Sequence, residues 1–300
     1  MLFYSAARGS PALSAILLLL TPLPTLIAGL GWGPAAALVA SVSCALLMAA
    51  TVSLPSAIGT LVSLGAPAIG IAYLAELSRP VRGEAEVREW YPAGRLLTAI
   101  ALYGSALPML LLPLSGGSYE DLRGPLGDLM RRFSKEAASE LGMAPMTDQQ
   151  QELAVTMMLK TLPGFMAGYW MAVFSLNTYI AGRIARVSGR LARDWPDLPG
   201  MKLPKDVLVI FAIGLLAMFA TGFISIAGVS VVGSFLFLFF LAGLALMHSL
   251  ARRRSVVLLV MTYAALLLAG PYTAMALVLG GLTDTAFDLK SRFGGPKSVT

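Results

Sequence analysis

The distribution of charged residues constrains this chain more than any other feature of its sequence. No charged side chain occurs between Arg8 and Glu76, and four further charge-free blocks follow, at 96–119, 161–182, 207–251 and 255–283. A soluble domain needs charged groups over its surface, whereas a helix that crosses hydrocarbon needs roughly 20 consecutive apolar residues. The sequence therefore predicts an all-α polytopic membrane protein, a transmembrane helical bundle that forms one domain over residues 1–300.

Proline and glycine divide the charge-free blocks into shorter membrane segments. Pro22-x-Pro24 interrupts the first segment and Gly270-Pro271 the last, because proline removes a helical hydrogen bond and clashes with the preceding turn. Each broken segment is expected to return to its starting side as two short helices, with a single kinked crossing as the alternative. About eight segments are predicted, at 11–31, 34–54, 57–77, 95–114, 161–181, 207–227, 230–250 and 255–283.

The charges between the segments predict the orientation. Residues 182–206 carry six basic and three acidic side chains, whereas 115–153 carries four basic and seven acidic ones. Residues 78–95 and the cluster Arg252–Arg254 are also basic. Since basic residues are retained on the cytoplasmic side, these three regions are predicted inside and 115–153 outside. If both broken segments return, both termini are cytoplasmic as well.

Two stretches outside the membrane show organisation of their own. Residues 115–160 are predicted to form an extracytoplasmic insert of amphipathic helices, with Gly142 ending the first and a capping box at Thr147 and Gln150 starting the second. Pro163 is expected to break that second helix before the next span. The 182–206 region is a basic cytoplasmic loop in which Arg190, Arg193 and Trp195 are candidate partner-binding residues.

A ligand site inside the bilayer is the main functional hypothesis. Polar groups at membrane depth are expensive, and Asn177 lies deep within the 161–181 segment. Broken helices expose backbone polar groups, so the predicted site lies between the Pro22–Pro24 break, the Gly33-Pro34 helix start and Asn177. The positive end of a helix starting at Pro34 would favour an anionic or carbonyl-bearing ligand. The alternative for Asn177 is a hydrogen bond to a neighbouring span.

Other functions find no support in the motifs. G-x-S-x-G, H-E-x-x-H and phosphate-binding Walker sequences are absent, so no enzymatic activity and no cofactor is predicted. One cysteine and one histidine cannot build a metal site between them. The basic residues cluster at membrane edges, which indicates contact with the lipid bilayer and no nucleic acid.

Several stretches resemble the YybS-like group, an uncharacterised family of predicted bacterial membrane proteins. The resemblance rests on Pro22-x-Pro24 with the following Gly29–Pro34 run, on Ser188–Leu198, and on Gly281–Asp284 with Phe287-Asp288. It implies a multi-pass protein of the bacterial inner membrane. That group is distantly similar to the substrate-binding S-components of energy-coupling-factor transporters, six-helix proteins that bind a small-molecule solute and dock on a partner membrane subunit.

Two functions are therefore expected from the sequence. The first is a transport-related, solute-binding membrane subunit, as the broken segments and the resemblance imply. The second is a membrane scaffold or assembly factor that acts through its basic cytoplasmic loops. An enzyme acting on lipid is disfavoured, because no acid–base pair occurs within the segments.

Overall fold

Helices make up most of the computed structural model, which describes residues 11–81, 84–115, 119–142, 144–197, 199–252 and 255–293. Arg8, Arg82, Arg253 and Arg254, basic residues on which the predicted orientation partly depends, lie outside these ranges. The helices are α1 Pro11–Leu19, α2 Leu23–Trp32, α3 Pro34–Thr51, α4 Leu54–Thr60, α5 Ala66–Glu76, α6 Ala93–Leu111, α7 Arg123–Leu141, α8 Asp148–Val187, α9 Asp206–Ala217, α10 Gly222–Ala251, α11 Val257–Leu268, α12 Gly270–Phe287 and α13 Leu289–Phe293. A π-helical turn spans Leu61–Gly65, 3-10 turns span Leu112–Ser115 and Tyr119–Leu122, and strands β1 and β2 span Ser78–Val81 and Glu84–Trp90.

The long apolar helices confirm a helical membrane protein. Within the described ranges, five helical stretches are long and apolar enough to cross a bilayer, and α9 and α11 are shorter apolar helices. The predicted count of about eight segments stays a prediction. The five stretches are Leu13–Trp32, Pro34–Thr51, Leu54–Glu76, Ala93–Leu111 and Gly222–Ala251.

The two broken segments behave differently. At the first break, Pro22 keeps right-handed helical angles (φ −73°, ψ −15°), and Leu26 N donates to Pro22 O, so α1 and α2 form one kinked stretch. The structure does not show the predicted return there, because a proline in the first turn of a helix fits the helical backbone. The prediction of a cytoplasmic N-terminus depended on that return, so this part of the structure does not support it.

The last segment does turn back. Helix α11 ends at Ala269 (φ −132°, ψ 43°), and α12 begins at Gly270-Pro271. Arg252, ahead of α11, pairs with Asp197, and Asp288, after α12, pairs with Lys202. Both ends of the segment therefore contact the connection between α8 and α9.

The core lies where α8 and α10 meet α6 and α12. Phe174, Phe235 and Phe239 are fully buried there. Helices α10 and α12 approach backbone to backbone at Gly243 and Gly281, where an added methyl group would lie 2.0 Å from a carbonyl oxygen of the facing helix. Small residues at such crossings are how membrane helices gain close van der Waals contact.

The insert is built largely as its sequence predicts. The Thr147 hydroxyl accepts from Gln150 N at 3.3 Å, and the Gln150 side chain accepts from Thr147 N at 2.9 Å. Gly142 ends α7 in the left-handed conformation (φ 64°). The predicted break at Pro163 is wrong, since α8 runs unbroken for 40 residues through it. A buried proline costs one hydrogen bond, and neighbouring membrane helices tolerate that loss.

A β-hairpin follows α5 and was not predicted. Strands β1 and β2 pair antiparallel with Ser78 opposite Trp90 and Arg79 opposite Glu89. Arg79 and Glu89 form a cross-strand ion pair at 2.7 Å, which is the kind of pair that supports a short ribbon. The hairpin is a small addition to a helical bundle.

Candidate functional site

Asn177 faces the interior of the bundle. Its side chain is 0% exposed, and its amide nitrogen donates to Leu19 O at 2.8 Å and to Val173 O at 2.7 Å. The first bond reaches the end of α1, three residues before Pro22. The side-chain oxygen Oδ1 is buried and has no hydrogen-bond partner among the residues that the structure describes. The amide therefore makes an interhelical hydrogen bond, which was the alternative to a ligand site, and its Oδ1 atom remains an acceptor without a described partner.

Three hydroxyl groups share this unsatisfied state. Buried hydroxyls in these helices commonly donate to the carbonyl four residues earlier, as Ser230 does to Ile226 O at 2.8 Å. The described contacts give no partner to the hydroxyls of Ser41 on α3 and of Ser175 and Thr178 on α8. Buried polar atoms without partners are rare enough in native proteins that each requires an explanation.

The predicted site is only partly assembled around Asn177. The kink that contains Pro22 and Pro24 adjoins it, through Leu19. Gly33 and Pro34 lie at the far end of α2, whose ten residues span about 15 Å. There a methyl group on Gly33 (φ 89°) would be 3.0 Å from a carboxylate oxygen of Glu76, so the start of α3 faces an acid of its own chain. The helix start at Pro34 therefore gives no reason to expect an anionic ligand.

A π-helical turn lies between α4 and α5, and two of its backbone carbonyls accept hydrogen bonds from side-chain donors on other helices. Pro67 has no N–H to give to Ser63 O, four residues earlier, and the indole N–H of Trp170 donates to that oxygen at 2.9 Å. Ala66 N reaches back to Leu61 O, which leaves Val62 O to accept from the Tyr103 hydroxyl at 2.7 Å. This turn therefore attaches the α4–α5 span to α6 and α8 by side-chain hydrogen bonds.

The connection between α8 and α9, the 188–205 loop, holds the three predicted partner-binding residues in internal contacts. The Trp195 ring lies against Gly182, where an added methyl group would be 1.9 Å from two ring carbons. Arg193 Nη1 donates to Tyr91 O at 3.0 Å, and burial lowers the pKa of this guanidinium. The Arg190 guanidinium lies 5.2 Å from the centre of the Trp32 ring.

The same loop is tied to the end of the chain by a buried ion pair that sequence reasoning missed. Lys290 Nζ lies 3.1 Å from Asp284 Oδ2 and donates to Met201 O at 2.7 Å, and the two side-chain groups are 6% and 7% exposed. Beside it, Lys202 hydrogen-bonds Asp288 at 2.7 Å and thereby lowers the pKa of that carboxyl. Asp284 was noted only as part of a family resemblance, and no local pattern marks Lys290 as its partner.

No metal centre accompanies these features in the described part of the chain, where no three His, Cys, Asp or Glu residues come together. The described residues line at least two surface depressions. A groove of about 460 Å³ between α8, α10 and α12 is lined by Gly164, Phe165 and other apolar residues. A cleft of about 440 Å³ lies between the hairpin and the start of α6. Neither is lined by Asn177.

Comparison with known protein families identifies the family of this chain. The profile of a family described as Predicted membrane protein (DUF2232) fits residues 88–285. The chain belongs to this family. The matched region includes Asn177, the 188–205 loop and Asp284, and it leaves out α1 to α5 with Pro22, Pro24, Gly33 and Pro34. No curated protein and no solved structure matches the chain.

Membership confirms the expectation of an uncharacterised membrane protein family. The resemblance to energy-coupling-factor S-components gains no support from any named homologue.

Proposed function

We propose that this protein binds a small polar solute within the bilayer, as the solute-binding membrane subunit of a transport system. The observation that carries the proposal is the Oδ1 atom of Asn177, fully buried and unpaired beside the kink between α1 and α2. A polar group left unpaired at membrane depth costs free energy, and such groups mark substrate paths in membrane proteins.

The surroundings of Asn177 restrict the chemistry of the solute. A side-chain oxygen accepts hydrogen bonds, so the solute carries an N–H or O–H donor. The hydroxyls of Ser175 and Thr178, on the same stretch of α8, can donate or accept. No charged residue occurs in α8 between Lys160 and Arg183, which favours a neutral solute over an ion.

Helix α1 provides an entry route. None of its described side chains, from Leu13 to Leu19, belongs to the main hydrophobic core, and Leu13, Ile16 and Leu18 are exposed. The hydrogen bond from Asn177 to Leu19 O holds its end over the amide. Displacing α1 would therefore open Asn177 to the bilayer without unpacking the core.

The orientation belongs to the proposal as well. In an inner-membrane protein, 115–153 lies outside and the 188–205 loop inside, because net charge over the two regions differs in the sense of the positive-inside rule. The contacts of Asp197 with Arg252 and of Lys202 with Asp288 then keep both ends of the returning α11–α12 segment in the cytoplasm.

Purification in mild detergent with mass spectrometry of extracted small molecules tests the function. We expect one small molecule per chain in the natural protein and its loss in Asn177→Leu. Ser230→Ala is the control, since it removes a buried hydroxyl that its own helix satisfies.

The Asn177→Leu variant should still fold. It loses an interhelical bond, worth about 0.6–1.7 kcal/mol in membranes, and also removes an unpaired oxygen whose burial costs about 1–3 kcal/mol. A ligand retained in Asn177→Leu would remove this residue from the site. A natural protein that carries no small molecule and copurifies with a stoichiometric protein partner would favour the scaffold instead.

A further inference from the structure

The cleft between the hairpin and the start of α6 has the composition of a binding site for a phosphate group. Its lining combines the apolar side chains of Leu77, Trp90, Tyr91 and Pro92 with the polar ones of Ser78, Arg79, Glu89 and Arg95. We propose that this cleft binds the phosphate of an anionic phospholipid, with Arg95 as the principal contact.

Among the residues that line the cleft, one cation has no acidic partner, and Arg88 contacts the edge of the cleft, where its Nη1 donates to Ser78 Oγ at 3.5 Å. Arg79 is neutralised by Glu89, its cross-strand neighbour, through bonds of 2.7 and 2.8 Å. Arg95 makes no ion pair with any residue that the structure describes, and it is exposed. The guanidinium offers several N–H donors in a plane, which suits a phosphate oxygen pair. One phosphodiester carries the single negative charge that would balance this cation.

The position of the cleft selects a lipid as the source of the phosphate. The cleft lies where α5 leaves the apolar region, at Leu77, and where α6 enters it, at Ala93. Tryptophan and tyrosine rings are enriched at this depth of a bilayer, and Trp90 and Tyr91 supply them. A lipid can therefore place its phosphate on Arg95 and its glycerol and first methylenes on the apolar wall.

The cleft is held in shape without a ligand. Tyr91 N donates to Leu77 O at 2.9 Å, which closes the base of the hairpin. Arg193, from the 188–205 loop, donates to Tyr91 O at 3.0 Å from the other side. A preformed site loses little conformational freedom when a ligand binds, which favours affinity.

Native mass spectrometry with added phosphatidylglycerol tests the proposal, with phosphatidylcholine of the same chains as the zwitterionic comparison. We expect one phosphatidylglycerol bound per chain and about tenfold weaker binding in Arg95→Gln, since a charge-assisted bond is lost. Arg186→Gln is the control, because it removes the same charge from an exposed residue of α8 outside the cleft. The Arg186→Gln variant should bind phosphatidylglycerol with the same affinity as the natural protein.

A second variant gives the opposite prediction. Glu89→Gln releases Arg79 from its ion pair and should tighten phosphatidylglycerol binding several-fold, an effect that misfolding cannot produce. Equal weakening by Arg95→Gln and Arg186→Gln would overturn the proposal in favour of general attraction to basic residues. If millimolar inorganic phosphate displaces the lipid and itself binds in an Arg95-dependent way, the lipid assignment is overturned and the site takes free phosphate.

Discussion

Replacing Gly182 by alanine measures how firmly the 188–205 loop is seated on α8. The new methyl group would lie 1.9 Å from two ring carbons of Trp195, whereas ordinary carbon contacts are about 3.5–4.0 Å. The indole must therefore shift by roughly 1.5 Å or more. Overpacking of this kind costs about 1–3 kcal/mol. We expect the free energy of unfolding of Gly182→Ala to fall by that amount.

Combining Gly182→Ala with Trp195→Ala isolates the contact between the indole ring and α8. Removing a buried tryptophan side chain costs about 3–5 kcal/mol, and Trp195→Ala should cost less than that, because the ring is partly exposed and its Nε1 has no partner in the described structure. Without the ring, the methyl group on residue 182 meets no clash and gains about 0.5–1 kcal/mol from reduced backbone freedom in the unfolded chain. The coupling energy of the cycle is therefore about 1.5–4 kcal/mol.

Unfolding by sodium dodecyl sulfate in mixed micelles, followed by far-ultraviolet circular dichroism, supplies the four free energies. Gly70→Ala is the control, since an added methyl group there meets no atom within 4 Å. It should be neutral or slightly stabilising. If Gly182→Ala is as costly in the Trp195→Ala background as in the natural protein, the contact between ring and helix does not govern its effect and the reasoning fails.

Three further predictions concern the orientation, the buried ion pair and the π-helical turn. With Cys44 replaced, a cysteine at Asp128 should react with an impermeant reagent on intact cells and one at Arg190 should not; the reverse labelling would invert the topology. Asp284→Asn should destabilise the protein by about 3–5 kcal/mol, because it leaves the buried Lys290 ammonium without a countercharge. Adding Lys290→Met should recover most of that loss in the same unfolding assay. Additive losses from the two substitutions would contradict this explanation. Pro67→Ala should supply an N–H that competes with the Trp170 indole for Ser63 O, visible as a shift in tryptophan fluorescence that a Pro55→Ala variant does not reproduce.

The sequence predicts those features that depend on neighbouring residues or on the solvent. Charge-free stretches predict membrane helices because a bilayer tolerates few alternatives, and the Thr147 capping box is complete within four residues. The hairpin was missed because its strands are short and charged, although the alternation in Glu84–Trp90 is typical of a strand. Its cross-strand pair Arg79–Glu89 became visible only in three dimensions.

Some features of the candidate site could likewise be predicted from the sequence, and others could not. The depth of Asn177 in its span could be read from the sequence, and the structure adds that Leu19 is its partner. The separation of Gly33 from Asn177 follows from α2 continuing without a turn from Leu23 to Trp32. Contacts such as Trp195 with Gly182 join residues through the path of a loop, and no residue spacing predicts that path.

The ion pair at the end of the chain has a consequence for the order in which the molecule is made. Lys290 bonds to Met201, a residue synthesised 89 positions earlier. At about 5–20 residues per second, the ribosome needs roughly 4–18 s to cover that distance. Through this interval the 188–205 loop has its contacts with α2, α6 and α8 but lacks its last anchor. A nascent chain that stalls before Lys290 therefore leaves Asp284 without its buried countercharge.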